Sequence, residues 1–145
     1  MEIATLPANI ARRTVIDASS CWLWTGGKTR NGYGQAYDPG SKRVWLVHRL
    51  AYWLLVGPIP QGLTLDHLCR VRHCVNPSHL EPVTSRVNTL RGVGHSAVNA
   101  AKSECVNGHP FDLINTRIRR SGRRDCRICS AERCRQWRVA RQALT

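Results

Sequence analysis

This chain predicts an α+β fold built from short elements: a small core followed by a metal-stapled appendage. Three observations carry that expectation. Brief β-like runs, broken by Gly, Pro, Asn and Asp turn signals, fill the first half and are interrupted by one helical stretch. The 145 residues include one Phe and one Met, so aromatic core mass rests on five Trp and three Tyr. A core that small commonly needs a metal staple. Finally, seven cysteines are present, and several fall in pairs spaced as metal ligands are.

The elements follow in chain order. Residues 1–20 give a weak pattern, with a helical turn or two over residues 8–15. From Cys21 onward, CWLW and GYGQAY read as short strands separated by the turn region GGKTRNG. Asp38-Pro39-Gly40-Ser41 makes a second turn, and RVWLV a third strand. HRLAYWLLV reads as a helix ended by Gly57-Pro58, with Leu50, Trp53 and Leu54 on the face that packs against the sheet. A strand over residues 63–68, a helical turn over 76–80 and a short helix over 85–91 follow. Residues 95–104, HSAVNAAKSE, are small and polar and predict a linker. The expected organisation is therefore an N-terminal segment 1–20, a core 21–94, a linker 95–104 and a C-terminal module 105–145.

Charge points to the partner. The formal net charge is +13, with only nine acidic residues. Such an imbalance suits a polyanion, most simply nucleic acid. No apolar run approaches the ~20 residues that span a bilayer, and MEIATLPANIARR lacks the basic start and apolar stretch of a secretion signal. The expectation is no membrane partner and a cytoplasmic protein, where cysteines ligate metal more often than they form disulfides.

The C-terminal module carries Cys105-x3-His109 and Cys126-x2-Cys129. Two pairs, each able to bite one ion, joined by a hairpin-like stretch, describe a structural zinc site with three sulfurs and one nitrogen. The large apolar groups of this module, Phe111, Leu113, Ile114, Ile118, Ile128 and Trp137, are too few to close a core alone. A helix is expected over residues 131–142, with Cys134 as a core residue facing Trp137. Cys21, Cys69 and Cys74, with His73 as fourth ligand, form a second metal site or are small buried core residues. Residues 105–145 also hold ten Arg against three acids, a net +7. Arg117, Arg119 and Arg120 on a strand, Arg123 and Arg124 around its turn, and Arg133, Arg135, Arg138 and Arg141 on the last helix suit phosphate contact.

The most informative segment is LDHLCRVRHCVNPSHLE, from Leu65 to Glu81. Asp66 and His67 are adjacent, and Asn76 and His79 follow shortly after. Phosphodiester hydrolysis needs a base to deprotonate water and a divalent cation to neutralise charge on phosphate and leaving oxygen. One imidazole base, and a cation on one carboxylate and one imidazole, supply that minimum.

With VHRLAYWLLVGPIPQGL upstream and LEPVTSRVNTLRG downstream, residues 21–92 resemble the HNH, or His-Me finger, nucleases, particularly small phage and bacterial members related to homing endonucleases. The resemblance implies a ββα-metal core with His67, Asn76 and His79 as the name residues. His67 would be the general base at the end of a hairpin strand. Asp66 and His79 would hold one catalytic cation, Mg²⁺ or Mn²⁺. Asn76 would brace the loop that aims His67, and Asn88 would cap a helix or touch phosphate. Residues 105–145 resemble the zinc-binding tails of such phage proteins. The implied activity is a homing or phage-encoded endonuclease acting on DNA, nicking or cutting both strands to leave 5′-phosphate and 3′-hydroxyl ends. It would work as a monomer or homodimer in a bacterial or phage-infected cell. A catalytically inactive, zinc-stapled DNA-binding protein is the alternative, and RNA remains open as a substrate.

Overall fold

Strands pair only two by two in the computed structural model, which describes residues 3–143. The chain divides into two units, residues 1–92 and 93–145.

The first unit begins with a 3₁₀ turn, Ile3–Thr5, and a short helix α1 (Ala8–Ala11). Strand β1 (Thr14–Ile16) then pairs antiparallel with β2 (Trp22–Trp24), Thr14 opposite Trp24. The helical turn expected within residues 8–15 forms at Ala8–Ala11 and stops there, because the β-branched run Thr14-Val15-Ile16 suits a pleated surface. Leu6 and Ile10, from the N-terminal segment, are buried with Trp22, Trp24, Val47, Leu50, Ala51 and Val75 in a single core.

β3 (Gln35–Asp38) pairs with β4 (Arg43–Leu46), and α2 (Val47–Leu55) follows directly. Gly57, at φ +131°, stops this helix in a conformation that glycine adopts freely. The face α2 buries is not the expected one. Val47, His48, Leu50 and Ala51 are buried, whereas Trp53 and Leu54 are 51% and 41% exposed. The stripe starts at Val47, ahead of the apolar run used to phase it, and helical spacing then turns Trp53 and Leu54 outward.

β5 (Leu63–His67) and β6 (Leu80–Thr84) form an antiparallel hairpin with Asp66 opposite Glu81 and His67 opposite Leu80. Helix α3 (Ser85–Arg91) leaves β6 at once, capped by Thr84 Oγ1 accepting from Val87 N–H, and packs on both strands. A hairpin with a helix across it is therefore the frame around the central motif.

In the second unit, the segment read as a linker forms helix α4 (His95–Ala101), since Ala97, Ala100 and Ala101 favour helix more than their polarity suggested. β7 (Thr116–Ile118) pairs with β8 (Arg124–Cys126), placing Arg119, Arg120 and Arg123 beyond the strands. α5 (Arg127–Gln142) starts four residues earlier than expected because Cys126 Sγ accepts the Cys129 N–H and nucleates its first turn. Cys134 is exposed, and α5 buries no residue, so the expected Cys134–Trp137 core does not form. No described helix is long and apolar enough to cross a membrane.

Candidate active site and metal centres

His67 ends β5, buried, and the chain turns away immediately through Arg70, whose φ of +60° is left-handed. The His67 Nε2–H donates to the Cys74 carbonyl at 3.1 Å. A carbonyl can only accept, so Nε2 carries the proton and the neutral ring keeps its lone pair on Nδ1. Burial lowers the His67 pKa below the ordinary 6.5, although the Cys74 carbonyl and Asp66 pull the other way.

Two rings hold His67 in place. His48, from the first turn of α2, lies 4.7 Å from it between centroids at an interplanar angle of 59°, and Tyr33 lies 5.8 Å away. Tyr33 and His48 also touch each other, at 5.4 Å. His48 is 4% exposed and its Nδ1 has no hydrogen-bond partner. Burial, then the nearby charges of His67 and Arg49, lower its pKa to about 3. The sequence reading used His48 only to begin a helix; its signal was a histidine inside the buried stripe.

Asp66 precedes His67 at the end of β5 and shares a face of the strand with Thr64. Its Oδ1 takes a 2.7 Å bond from Arg70, and Arg91 Nη1, which is bonded to Glu81, stands 3.6 Å from Oδ2. Asp66 Oδ2 is buried with no hydrogen-bond partner. Thr64 shares this face two residues earlier and accepts a 3.3 Å bond from Asn88 of α3.

His79 does not join Asp66. Its Nδ1 lies 3.4 Å from Cys21 Sγ and 3.6 Å from Cys74 Sγ. Cys21, Cys69, Cys74 and His79 bring four ligand atoms within 4.8 Å of one another. His79, not His73, therefore completes the thiol cluster. The 3₁₀ turn Pro77–His79 folds the chain back, and Asn76 secures that turn: its Oδ1 accepts Ser78 N–H at 3.0 Å and its amide donates to Ser20 O at 2.8 Å. Asp17 Oδ1, accepting from Ser19 and Cys21 N–H, shapes the turn that delivers Cys21.

The second unit gathers Cys105, His109, Cys126 and Cys129 within the same 4.8 Å limit. His109 Nδ1 is 3.2 Å from Cys129 Sγ, 3.5 Å from Cys105 Sγ and 3.7 Å from Cys126 Sγ. Burial works to raise the Cys126 thiol, but the Cys129 N–H and the Asn115 side chain outweigh it, bringing its pKa to about 6. A thiol that ionises near neutrality is prepared for a cation. Both Cys/His clusters are thus able to hold a metal.

The arginines of this unit differ in whether an acidic or carbonyl partner holds them. Arg119 and Arg123 pair with Asp125, Arg135 with Glu132 at 2.9 Å, and Arg124 stacks on Phe111 while bonding Asn99 O. Arg117, Arg120, Arg133, Arg138 and Arg141 form no ion pair within the described residues.

Residues 46–90 match the sequence family described as HNH endonuclease. Protein 7.7 of Escherichia phage T7 is 35% identical over 69 residues, 48% of this chain and 52% of that protein. The uncharacterized gene 5.3 protein of Enterobacteria phage T3 is 35% identical over 52 residues, 36% of this chain and 52% of that protein. The chain spans about half the length of these curated relatives. No solved structure matches.

Proposed function

We propose that this chain, which carries an HNH endonuclease segment at residues 46–90, is a metal-dependent endonuclease acting on DNA. The observation that carries the reading is the state of His67: neutral near pH 7, with its Nε2–H committed to the Cys74 carbonyl and Nδ1 left as a base.

His67 Nδ1 takes the proton from water, whose oxygen attacks the scissile phosphorus. The bond to the 3′ oxygen breaks, and that oxygen takes a proton from solvent water, leaving 5′-phosphate and 3′-hydroxyl ends. His48 and Tyr33 keep the base ring from rotating away from this task. The buried carboxylate of Asp66, whose Oδ2 makes no hydrogen bond, would hold a hard divalent cation, Mg²⁺ or Mn²⁺, in place of the guanidiniums of Arg70 and Arg91 that flank it here. Asn88, whose amide donates to Thr64 on the same face of β5, would offer its Oδ1 as the second ligand in place of His79. When bound, such a cation would neutralise charge on the phosphate and the departing oxygen. Arg70 and Arg91, now held by Asp66, are the nearest cations for a non-bridging phosphate oxygen.

The two thiol-rich clusters have a different donor chemistry. Three sulfurs and one imidazole suit zinc in a closed, structural site, and we assign zinc to both. His79 then serves catalysis only indirectly, by fastening the end of the hairpin loop.

Conversion of supercoiled plasmid to nicked or linear DNA, with and without Mg²⁺ or Mn²⁺, tests the reading. Loss of a general base typically costs ~10²–10⁴-fold in rate. His67→Ala should lose cleavage by that factor while binding DNA as well as the parent. Cation-dependent cutting that survives His67→Ala at full rate removes the assignment. Binding without any cutting by the parent chain would favour the inactive, zinc-stapled DNA-binding protein.

A further inference from the structure

Helix α5 gathers four of its five arginines on one side. At 3.6 residues per turn, Arg127, Arg133, Trp137, Arg138 and Arg141 fall within an arc of about 140°. The opposite side holds Glu132 with its partners: Arg135 at 2.9 Å and Gln136, whose amide donates to Glu132 at 3.2 Å. Val139 lies on that side too. The basic face is open, with Trp137 61% exposed within it and Arg141 stacked on the indole at 5.3 Å. Trp137, Arg138, Arg141 and Gln142 together line a shallow concavity.

We propose that this face of α5 docks in the major groove of double-stranded DNA, with Trp137 against the base edges and Arg133, Arg138 and Arg141 on the flanking phosphates. The choice of DNA as polyanion rests on the nuclease reading; the choice of duplex comes from the helix. A 16-residue helix is about 24 Å long and 10–12 Å across, and the major groove, about 12 Å wide, admits one. Arginines on both edges of the arc, with an aromatic between them, match two phosphate rows with base edges between. Two competing surfaces fit less well. A membrane-surface helix needs a continuous apolar face, yet Trp137 and Val139 point to opposite sides here. A single-strand platform stacks successive bases on several aromatics, and α5 offers one.

The test uses the full chain carrying His67→Ala, so that binding is read without cleavage, on a fluorescent duplex of ~25 base pairs by anisotropy over a salt series. Each phosphate contact contributes about 0.9 to the slope of log K against log salt. Arg138→Gln with Arg141→Gln should therefore flatten the slope by nearly two and weaken binding at least tenfold near 0.1 M salt. Arg135→Gln, on the side occupied by Glu132, should leave the slope unchanged, and Trp137→Ala should weaken duplex binding without altering it. Circular dichroism and zinc content check that each variant keeps its fold. Three results overturn the proposal: an unchanged slope in the double variant, an equal effect from Arg135→Gln, or tighter binding of the same sequence as a single strand. Plasmid cutting by the double variant with His67 intact keeps the two readings apart. If cutting persists at high protein while the slope is unchanged, α5 docking fails and the nuclease stands. If the parent binds duplex through α5 but never cuts, the reverse holds.

Discussion

A buried histidine is an expensive way to fill space, and His48 shows what it is for. Its Nδ1 has no partner, and leaving such an atom unsatisfied costs about 1–3 kcal/mol. Its ring, however, packs on the base histidine and stays uncharged at any working pH, so it positions His67 without repelling the proton that His67 must accept. The pH dependence follows with a definite sign. His48 has a folded pKa of about 3 against an ordinary 6.5, so the unfolded chain takes up its proton first as pH falls. Stability is complete above 6.5 and is lost between 6.5 and 3, by on the order of 2 kcal/mol at pH 5. Denaturant unfolding followed by Trp fluorescence at pH 7.5 and pH 5 checks this against His48→Phe, which cannot titrate. The parent should lose about 2 kcal/mol more than the variant; parallel losses would mean that His48 is not held neutral.

At the scale of elements, a turn becomes intelligible only through what it covers. GGKTRNG reads in sequence as a loop between strands, yet Trp24 uses it as a seat. The indole Nε1 donates to Gly27 O at 2.8 Å, and a Cβ at Gly34 would stand 2.6 Å from the ring of Trp24. Gly34, two residues past that turn, also receives the Val47 N–H on its carbonyl at 2.9 Å, which ties the approach to β3 to the start of α2 and so to His48. Gly34→Ala should therefore cost about 1–3 kcal/mol as overpacking. A Tm lower by roughly 5–15 °C follows for a unit of this size, whereas Gly40→Ala, whose nearest neighbour is the Asp38 carboxylate at 3.6 Å, should shift it little. Equal shifts would rule out the seat. The same contrast explains which elements were legible in advance. The helix at Ser85–Arg91 and the strand carrying Asp66 follow from local signals and stand where the sequence puts them, whereas β6, Leu80–Thr84, was located by no local signal. β1 was not legible either, because three β-branched residues beside a helical turn declare their pairing only once Trp22–Trp24 lies opposite. His79 was misassigned for a related reason. Its spacing from Asp66 and its spacing from Cys74 are both plausible, and only the fold of the Pro77–His79 turn shows that the imidazole goes to sulfur.

For the whole molecule, the two units differ in what holds them together. The first has an apolar core, from Leu6 and Ile10 through Trp22, Trp24, Val47, Leu50 and Val75, in addition to its Cys/His cluster. In the second, Ala97, Asn115 and Cys126 are the buried residues among those described, while Leu113 and Ile114 are 98% and 84% exposed. No apolar core closes there among the described residues, so, on the zinc assignment proposed above, ligation by Cys105, His109, Cys126 and Cys129 would supply the folding free energy. Structural zinc contributes an apparent ~10–16 kcal/mol in small modules at neutral pH, enough to fold 53 residues that have little else. Protein purified without chelators should accordingly contain close to two zinc ions per chain by elemental analysis, one for each cluster. Stripping the metal should separate the units: amide exchange in residues 93–143 should rise to unfolded rates, while the core around Trp24 keeps its protection. Cys126→Ser should reproduce the first effect alone, with one zinc remaining. Cys74→Ser should remove the other ion, loosen the hairpin loop behind His67 and lower cleavage, while leaving exchange in the second unit unchanged. A metal-free chain whose second unit stayed protected from exchange would show that something other than these four side chains folds it.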